Sequence, residues 1–331
     1  MSRAFFIVGP TATGKSEIAA DVAQDVGAEI VSADAFQIYR GLDLLSAKPD
    51  VPTIAKAPHH LLDKIPLSEN MNAEKYRRAA TCAIKEINSR GKLAIVVGGS
   101  GLYIKALTHG LAPLPEPDPM LRAKLNAMSL DDLRSQLAEL DPETTRKIDL
   151  KNRRRVTRAL EICLLTGKPA SAHRGRPSVA DSLCEAQTAR NEIRTNASHS
   201  EAATEAGSTI AGTGVFVFRD RNELYERINQ RVETMFERGV IEEVRTAGEV
   251  SQTASQMIGL REIRELLAGK KSIPECIAEI QQATRRYAKR QLTWFRRQTN
   301  FLPLNLSFLT HNEAVKWISL RILSEAGTRD D

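Results

Sequence analysis

An eight-residue segment near the amino terminus has the spacing of a phosphate-binding loop. Residues 9–16 read Gly-Pro-Thr-Ala-Thr-Gly-Lys-Ser, which fits the pattern G-x-x-x-x-G-K-[ST] at each fixed position. Glycines let successive backbone N–H groups point at phosphate oxygens, the lysine supplies a point charge, and the serine hydroxyl can ligate Mg²⁺. The segment therefore predicts a site for a diphosphate or for a nucleotide such as ATP. Its residues are Gly9, Pro10, Thr11, Ala12, Thr13, Gly14, Lys15 and Ser16.

The rest of the chain lacks the usual companions of this loop in nucleotide hydrolases. No N-K-x-D or D-x-x-G motif is present, and the apolar run Leu93–Val97 ends in Gly-Gly-Ser instead of a Mg²⁺-binding aspartate. Asp34 is the acidic residue nearest to a strand end beside the loop. Its residue type alone leaves two roles open, a general base or a Walker-type Mg²⁺ contact.

Apolar periodicity predicts the elements that position these residues. Short buried strands are expected at Ala4–Val8, Glu29–Ser32, Leu93–Val97 and Val215–Phe218, and helices follow them at Ser16–Val26, Asn72–Ser89 and Leu102–Leu107. Alternation of strand and helix predicts an α/β fold, with a P-loop NTPase-like parallel sheet covered on both faces. We expect the Glu29–Ser32 strand to lie beside the loop strand and to bring Asp34 to the phosphate site.

A proline-rich break separates this core from a helical region. Prolines alternate between Pro113 and Pro119, the pattern from Met120 to Lys168 is helical, and Glu185–Thr213 is polar and predicted to be mobile. We therefore predict three parts: a first part of the core at 1–114, an all-helical insertion at 115–213, and a resumed core with basic helices at 214–331.

Basic residues are concentrated in two short segments. Residues 151–158 (KNRRRVTR) hold five of them and residues 285–297 (RRYAKRQLTWFRR) hold six, with no acidic residue in either. The other 36 of the 47 lysines and arginines are outnumbered by 41 acidic residues. Such localised charge predicts two polyanion-binding surfaces. Tyr287 and Trp294 in the second segment suit either stacking on RNA bases or packing on the core.

Composition argues against several other classes of protein. The four cysteines form no C-x-x-C pair, which favours neither a zinc site nor a disulfide framework. No apolar run approaches about 20 residues, and the brief apolar start at the amino terminus does not resemble a secretory signal. His59 and His60 favour a structural pair over a metal site because no third ligand lies at a suitable spacing. A cytoplasmic protein without a membrane segment is expected.

A series of motifs points to one family. GPTATGKS, SADAFQIYRGLD with SAKP, PHHLLD, VVGGSGLYIKAL, RRRVTRALEI with TGKP, and TRRYAKRQLTWFRR occur in that order between residues 9 and 297. The series resembles the tRNA dimethylallyltransferases, also called isopentenyl-diphosphate:tRNA transferases. The resemblance implies transfer of a dimethylallyl group from its diphosphate to the exocyclic amine of the adenine just 3′ of the anticodon. It implies tRNAs that read codons beginning with U, and Mg²⁺ as the metal ion. We also expect a monomer.

The resemblance also assigns site residues. It implies that residues 9–16 hold the prenyl diphosphate, with Lys15 stabilising its charge, that Asp34 is the general base, and that Ser100 lies near both diphosphate and tRNA. The remaining residues implied to contact tRNA are Asp34, Ala35, Phe36 and Gln37 around the target nucleotide, then Arg122, Arg154, Arg155, Val156, Thr157 and Arg158, and finally Lys289, Arg290, Gln291, Trp294 and Arg296. Arg219, which follows the VFVF strand, is a further candidate for the diphosphate or for a surface salt bridge.

Three positions depart from the family pattern. Ala35 stands where the family usually has serine, Ser100 where it usually has threonine, and Leu260 where it usually has tyrosine. The first change removes a hydroxyl near the base, and the third removes a possible stacking contact.

Two other functions are compatible with the loop and the sheet. One is a small-molecule or nucleoside kinase, and the other is a non-catalytic RNA-binding protein with a P-loop. A kinase has no need of eleven basic residues in two segments, and ATP turnover distinguishes it from a prenyltransferase.

Overall fold

The computed structural model describes residues 3–173 and 210–327. Their contacts divide the chain into two units, one made of Met1–Thr108 with Thr209–Asp331 and the other of His109–Ser208. The boundaries expected from the sequence, after residues 114 and 213, lie a few residues further along the chain. Most of the polar stretch 185–213, which was predicted to be mobile, lies outside the described residues.

The first unit contains a parallel sheet whose described strands run in the order β3-β2-β4-β1-β5-β6. The strands are β1 (Arg3–Val8), β2 (Glu29–Ser32), β3 (His59–His60), β4 (Ala94–Gly98), β5 (Ala211–Phe218) and β6 (Phe301–Asn305). β4 is buried along its whole length, as expected for a strand covered on both faces. This arrangement confirms the predicted α/β class.

The described helices of the first unit cover both faces of this sheet and extend beyond it. They are α1 (Lys15–Val26), α2 (Val51–Ala55), α3 (Ala73–Ser89), α4 (Gly101–Thr108), α9 (Arg221–Glu237), α10 (Val240–Thr246), α11 (Leu260–Leu267), α12 (Ile273–Phe295) and α13 (His311–Gly327). Alternating side chains of β1 divide the core between the two faces. Phe6 packs with residues of α3 and α4, while Phe5 and Ile7 pack with residues of α1 and α13.

Local sequence signals explain where the principal helices begin and end. α1 starts after Gly14 and stops at Gly27, and both glycines adopt left-handed backbone angles. Asn72 caps α3 by accepting a hydrogen bond from a backbone N–H of its first turn. Ser272 and Glu275 form a capping box at the start of α12, which fixes the beginning of the long helix that carries the second basic segment.

The second unit is helical throughout its described part, as predicted. Its helices are α5 (Pro119–Ala127), α6 (Leu130–Leu140), α7 (Pro142–Lys147) and α8 (Arg153–Thr166). A small apolar core that includes Leu133, Leu137, Val156 and Leu160 joins them. The first basic segment forms the beginning of α8.

The sequence did not predict two of the strands. His59 and His60 form the short strand β3, and residues 301–305 form β6 after the helical region. Among residues 3–173 and 210–327, no helix combines the length and the apolar character needed to cross a bilayer.

Candidate active site

The loop between β1 and α1 has the backbone geometry of a phosphate cradle. Ala12 and Gly14 adopt left-handed backbone angles, with φ values of +65° and +89°. The Thr13 hydroxyl donates a hydrogen bond to the Pro10 carbonyl at 3.0 Å, and Lys15 Nζ donates to the same oxygen at 3.1 Å. These bonds hold the lysine charge against the loop at the amino end of α1. The charge and the helix dipole together favour an anion at this position.

Three arginines hold the loop from the side of β5 and α9. They are Arg219, Arg227 and Arg231. The Nε atoms of Arg219 and Arg227 donate to backbone carbonyls of the loop, each at 2.9 Å, and Arg231 Nη1 donates to the Thr11 hydroxyl at 2.9 Å. The sequence analysis placed only Arg219 near the diphosphate. It missed the other two, although residues four apart on a helix share a face.

The charged groups at the loop perturb one another. Burial lowers the pKa of Lys15 to about 8, an effect that Asp34 opposes and Arg231 reinforces. Burial also lowers the pKa of Arg231, with Asp34 again opposing the shift. Arg231 Nε is buried and has no hydrogen-bond partner among the described residues. Because these cations are desolvated and converge on one loop, an anion bound there would stabilise their charged forms.

Two glycines at the end of β4 allow close backbone contact with the end of β2, which precedes Asp34, and with the phosphate loop. A Cβ atom on Gly98 would lie 2.3 Å from the carbonyl oxygen of Ala33, and one on Gly99 would lie 2.9 Å from that of Gly9. The prediction that β2 lies beside β1 is wrong, because β4 runs between them. Asp34 nevertheless acts electrostatically on Lys15, because its charge opposes the lowering of the lysine pKa.

The Asp34 carboxylate is held in a fixed orientation at the end of β2. Its Oδ1 atom accepts hydrogen bonds from the backbone N–H groups of Phe36 at 2.9 Å and Gln37 at 3.4 Å. The Ser100 hydroxyl, from the segment after β4, accepts a hydrogen bond from the Ala35 N–H at 3.0 Å. One carboxylate oxygen therefore fixes the turn, and Oδ2 is left for a substrate.

The neighbours of Asp34 include three tyrosines, Tyr76, Tyr103 and Tyr287. Burial raises the pKa of each hydroxyl, and the Asp34 charge raises it further. Tyr76 and Tyr103 stack with ring centroids 4.0 Å apart. All three hydroxyls stay protonated at neutral pH and remain hydrogen-bond donors. The sequence analysis missed Tyr76 and Tyr103, although Tyr103 lies within the VVGGSGLYIKAL motif.

The side chain of Gln291 joins the two glycine-rich loops. Its Oε1 atom accepts a hydrogen bond from the Thr11 N–H at 2.9 Å, and its Nε2 atom donates to the Gly99 carbonyl at 2.9 Å. The sequence analysis predicted that Gln291 contacts tRNA. The side chain is buried and both ends of its amide are bound to protein, so its main role in the structure is to join the loops, and a tRNA contact stays a prediction.

Other residues predicted near the target nucleotide and on α12 lie on or near the surface. Ala35, Phe36 and Gln37 are half-buried, and Gln37 Nε2 donates to a backbone carbonyl at 2.9 Å. The basic residues predicted to contact tRNA on and just after α12 are exposed: Lys289, Arg290 and Arg296. The ring of Trp294 is half-buried and packs so closely on Gly101 that a Cβ there would lie 2.7 Å from it. RNA contacts by these residues stay predictions.

In the second unit the predicted tRNA residues divide into three groups by exposure. Arg154 and Arg155 are exposed on the first turn of α8, Arg122 and Arg158 are half-buried, and Val156 and Thr157 are buried in the core of the unit. A helix that packs on one face buries successive residues this way. Contacts of these residues with tRNA stay predictions.

Two positions away from the loop have structural roles. His60 Nε2 lies 2.8 Å from Glu29 Oε2, so this histidine belongs to an ionic cluster at the other end of β2. Leu260, where the family usually has tyrosine, is buried in an apolar cluster with Leu42 and Leu45. Neither position contacts the loop.

The residues at the loop fit a hard divalent cation that is bound mainly through substrate oxygens. Ser16 begins α1 beside Lys15 and is half-buried, and its hydroxyl makes no hydrogen bond within the described part of the chain. Residues 3–173 and 210–327 contain no group of three or more histidine, cysteine or acidic side chains arranged to hold a metal ion. Mg²⁺ commonly takes one or two protein oxygens and completes its shell with phosphates and water.

The sheet is parallel, and its first loop has the backbone geometry of a phosphate cradle. These two features define the class of this molecule, which is a P-loop α/β protein with an inserted helical unit. The sequence profile of the IPP transferase family matches residues 37–298. The chain belongs to this family.

Individual relatives agree with this assignment. The chain is 40% identical over 296 residues to tRNA dimethylallyltransferase 1 of Citrifermentans bemidjiense, which covers 88% of each chain. It is 39% identical over 323 residues to the tRNA dimethylallyltransferase of Akkermansia muciniphila, covering 97% of this chain and 99% of the relative. The crystal structure of the tRNA isopentenylpyrophosphate transferase of Bacillus halodurans superposes with a TM-score of 0.68 at 30% identity, covering 100% and 98% of the two chains.

Proposed function

We propose that this enzyme transfers a dimethylallyl group from dimethylallyl diphosphate to the exocyclic amine of the adenine 3′-adjacent to the anticodon. Its substrates are tRNAs that read codons beginning with U, and pyrophosphate is the leaving group. The observation that carries the proposal is the phosphate-loop backbone together with the Asp34 carboxylate, which is fixed through Oδ1 and whose charge acts on Lys15. A carboxylate at that position serves proton abstraction, which an alkyl transfer to an amine requires.

The loop stabilises the leaving group. When the allylic carbon–oxygen bond breaks, negative charge develops on the diphosphate oxygens. Lys15, the amino end of α1 and the cations of α9 are already oriented toward the loop that receives this charge. Preorganised donors of this kind stabilise a transition state without reorganising during the reaction. Lys15 is therefore catalytic as well as binding.

Asp34 activates the nucleophile. The lone pair of an adenine amine is delocalised into the ring, so the amine needs a base to take its proton as the nitrogen–carbon bond forms. Oδ2 of Asp34 accepts that proton while Oδ1 stays bound to the backbone of the next turn. Tyr76 and Tyr103 place buried, protonated hydroxyls near this carboxylate.

The Ser16 hydroxyl, beside Lys15 at the amino end of α1, would hold Mg²⁺, which would supply additional charge neutralisation for the leaving group. The exposed arginines of α8 and α12 bind phosphates of the anticodon arm, which supports an unstacked base. We expect the enzyme to act as a cytoplasmic monomer.

The test uses purified enzyme, Mg²⁺, dimethylallyl diphosphate labelled in the allyl group, and unmodified tRNA transcripts. Label should appear in a transcript that reads a U-initial codon. It should be absent when the adenine 3′ of the anticodon is replaced by guanine, because guanine does not present the same amine. Equal labelling of both transcripts, or no labelling of either, would contradict the proposed function.

A further inference from the structure

A buried carboxylate in the second unit binds two of the arginines that are predicted to contact tRNA. Glu161 lies on α8 with none of its side chain exposed. Its Oε2 atom accepts from Arg122 Nη2 at 2.5 Å and from Arg158 Nη1 at 2.6 Å. Arg158 Nη2 also donates to the Pro115 carbonyl at 2.8 Å. One carboxylate oxygen thus fixes guanidinium groups from two helices.

The arrangement leaves the two arginines able to bind a ligand. The side chains of Arg122 and Arg158 are 30% and 31% exposed, although each is anchored at one edge. A guanidinium has five N–H donors, and the contacts above use only one on Arg122 and two on Arg158. The two guanidinium groups and the one carboxylate together carry a net charge of +1 at the surface. The cluster therefore presents free donors at a fixed spacing.

Stability alone does not explain a carboxylate at position 161. Its other oxygen, Oε1, is buried without a hydrogen-bond partner among the described residues. The adjacent residues of α8, Leu160 and Ile162, carry apolar side chains that are buried in the core of the unit. Replacing a buried ion pair by apolar residues is often neutral or stabilising. A buried carboxylate oxygen without a hydrogen-bond partner lowers the free energy of unfolding, so stability does not favour Glu161 over an apolar residue.

We propose that Glu161 is a positioning residue, which holds Arg122 and Arg158 in the orientation that binds the tRNA backbone. The proposal rests on the proposed function, because it takes tRNA as the ligand. Glu161 itself contacts no RNA. It fixes two flexible side chains before binding, so less conformational entropy is lost when they bind phosphate.

The sign of the effect separates positioning from simple electrostatics. Glu161→Gln removes a negative charge beside a basic surface, so a pure charge effect would tighten tRNA binding. Loss of positioning instead weakens it. We expect the tRNA Kd of the full-length variant to rise by roughly five- to ten-fold, and the slope of log Kd against log salt concentration to fall by about one. The KM for dimethylallyl diphosphate and kcat at saturating tRNA should stay within two-fold of the wild type.

A matched control removes the same charge elsewhere in the unit. Glu143 pairs with Lys147 at 2.5 Å on the surface of α7, and both side chains are 59% exposed. Glu143→Gln should leave the tRNA Kd unchanged or slightly lower. A Glu161→Gln variant that binds tRNA as tightly as wild type, or more tightly, would overturn the proposal.

Further experiments distinguish loss of positioning from misfolding of the variant and from failure of the proposed function. If Glu161→Gln is unfolded by circular dichroism, Glu161→Asp replaces it, since it keeps the charge and is too short to reach both guanidiniums. Its tRNA Kd should also rise, and an unchanged Kd overturns the proposal. In the Arg122→Ala/Arg158→Ala background, Glu161→Gln should cause no further loss. Failure of the wild type itself to prefer tRNA over a DNA hairpin of equal length would instead contradict the proposed function.

Discussion

The amide of Gln291, in helix α12, accepts a hydrogen bond from the backbone N–H of Thr11 in the phosphate loop. The same amide donates to the Gly99 carbonyl, so one side chain sets the distance between the two loops that flank the site. Gly99 has no room for a Cβ, which would lie 2.2 Å from Gln291 Nε2. The helix that carries the second basic segment therefore also shapes the diphosphate site.

Replacing Gln291 with leucine should weaken diphosphate binding. Leucine is similar in size but makes neither hydrogen bond, so the loop loses its support and the Gly99 carbonyl is left unpaired. We expect the KM for dimethylallyl diphosphate to rise about ten-fold and the free energy of unfolding to fall by about 1–2 kcal/mol. Steady-state kinetics and chemical denaturation measure both quantities.

Gln298→Leu is the matched control for this substitution. Gln298 lies seven residues further along the chain, where its amide donates to the Trp294 carbonyl and does not reach the loop. Its KM should match that of the wild type. If Gln291→Leu also keeps the wild-type KM, Gln291 does not shape the diphosphate site.

The pKa of Lys15 predicts a pH dependence of diphosphate binding. In the free enzyme burial lowers this pKa to about 8, against an ordinary value of 10.5. A bound diphosphate favours the charged amine and raises the pKa, so the complex holds more protons than the free enzyme above pH 8. Affinity should therefore fall as pH rises above 8, by up to about ten-fold per unit.

Calorimetric titration in buffers of different ionisation enthalpy tests this sign directly. Near pH 8.5 the enzyme should take up a fraction of a proton when it binds dimethylallyl diphosphate, and near pH 6.5 it should take up almost none at this lysine. Lys15→Arg, which stays charged throughout the range, is the control and should show no uptake from this position. Proton release at pH 8.5 by the wild type would contradict the assignment.

The exposed arginines at the start of α8 should contribute to tRNA affinity through charge. Arg154→Ala/Arg155→Ala removes two cations that make no hydrogen bond with their side chains inside the described part of the unit. We expect the tRNA Kd to rise and its salt slope to fall by about one to two. Arg146→Ala/Lys147→Ala on α7 removes the same charge from the same unit. Equal effects of the two double variants would mean that α8 is not a specific tRNA surface.

A buried ionic cluster at the far end of β2 predicts a stability effect without a catalytic one. Burial alone would raise the pKa of Glu29, but hydrogen bonds from His60, Lys92 and Arg90 lower it to about 2. A carboxyl group whose pKa is lowered by folding stabilises the fold at pH values above its unfolded pKa, which is near 4.5. This stabilisation disappears as pH falls toward 2.

Glu29→Gln should therefore lower the free energy of unfolding at pH 7 by about 1–2 kcal/mol, since the partly exposed partners are screened by solvent. The difference from wild type should shrink between pH 4.5 and pH 3 in urea denaturation curves. Glu69→Gln, in an exposed pair with Lys75, should have almost no effect at either pH. A difference that stays constant with pH would show that the Glu29 charge does not stabilise the fold.

The sequence was sufficient for the fold class, the loop and most elements of the core. The phosphate-loop pattern is local in sequence, because each fixed residue determines the backbone conformation or the charge at its own position. Strand β1 is apolar after Arg3 and β4 has no polar side chain, and helices such as α1 and α3 carry their own start and stop signals. These features depend on neighbouring residues and can be predicted from them.

Features that depend on residues distant in the chain were missed or wrong. Strand order places β4 between β1 and β2, which no local pattern encodes. The resemblance implied a tRNA contact for Gln291, but the sequence did not show that its side chain joins the two loops. Arg231 and Tyr103 approach the site only because sheet and helices fold together. Burial of Val156 and Thr157 likewise follows from the packing of α8.

The most direct test of the central claim uses dimethylallyl diphosphate labelled separately in its allyl group and in its diphosphate. If the loop holds the leaving group of an alkyl transfer, allyl label enters tRNA and diphosphate label is released as pyrophosphate, in equal amounts and without ATP. Asp34→Asn, which keeps the shape of the carboxylate, should slow this transfer by roughly 10²–10⁴-fold while tRNA affinity stays within a few-fold. Phosphate label on the acceptor, or a requirement for ATP hydrolysis, would contradict this role of the loop.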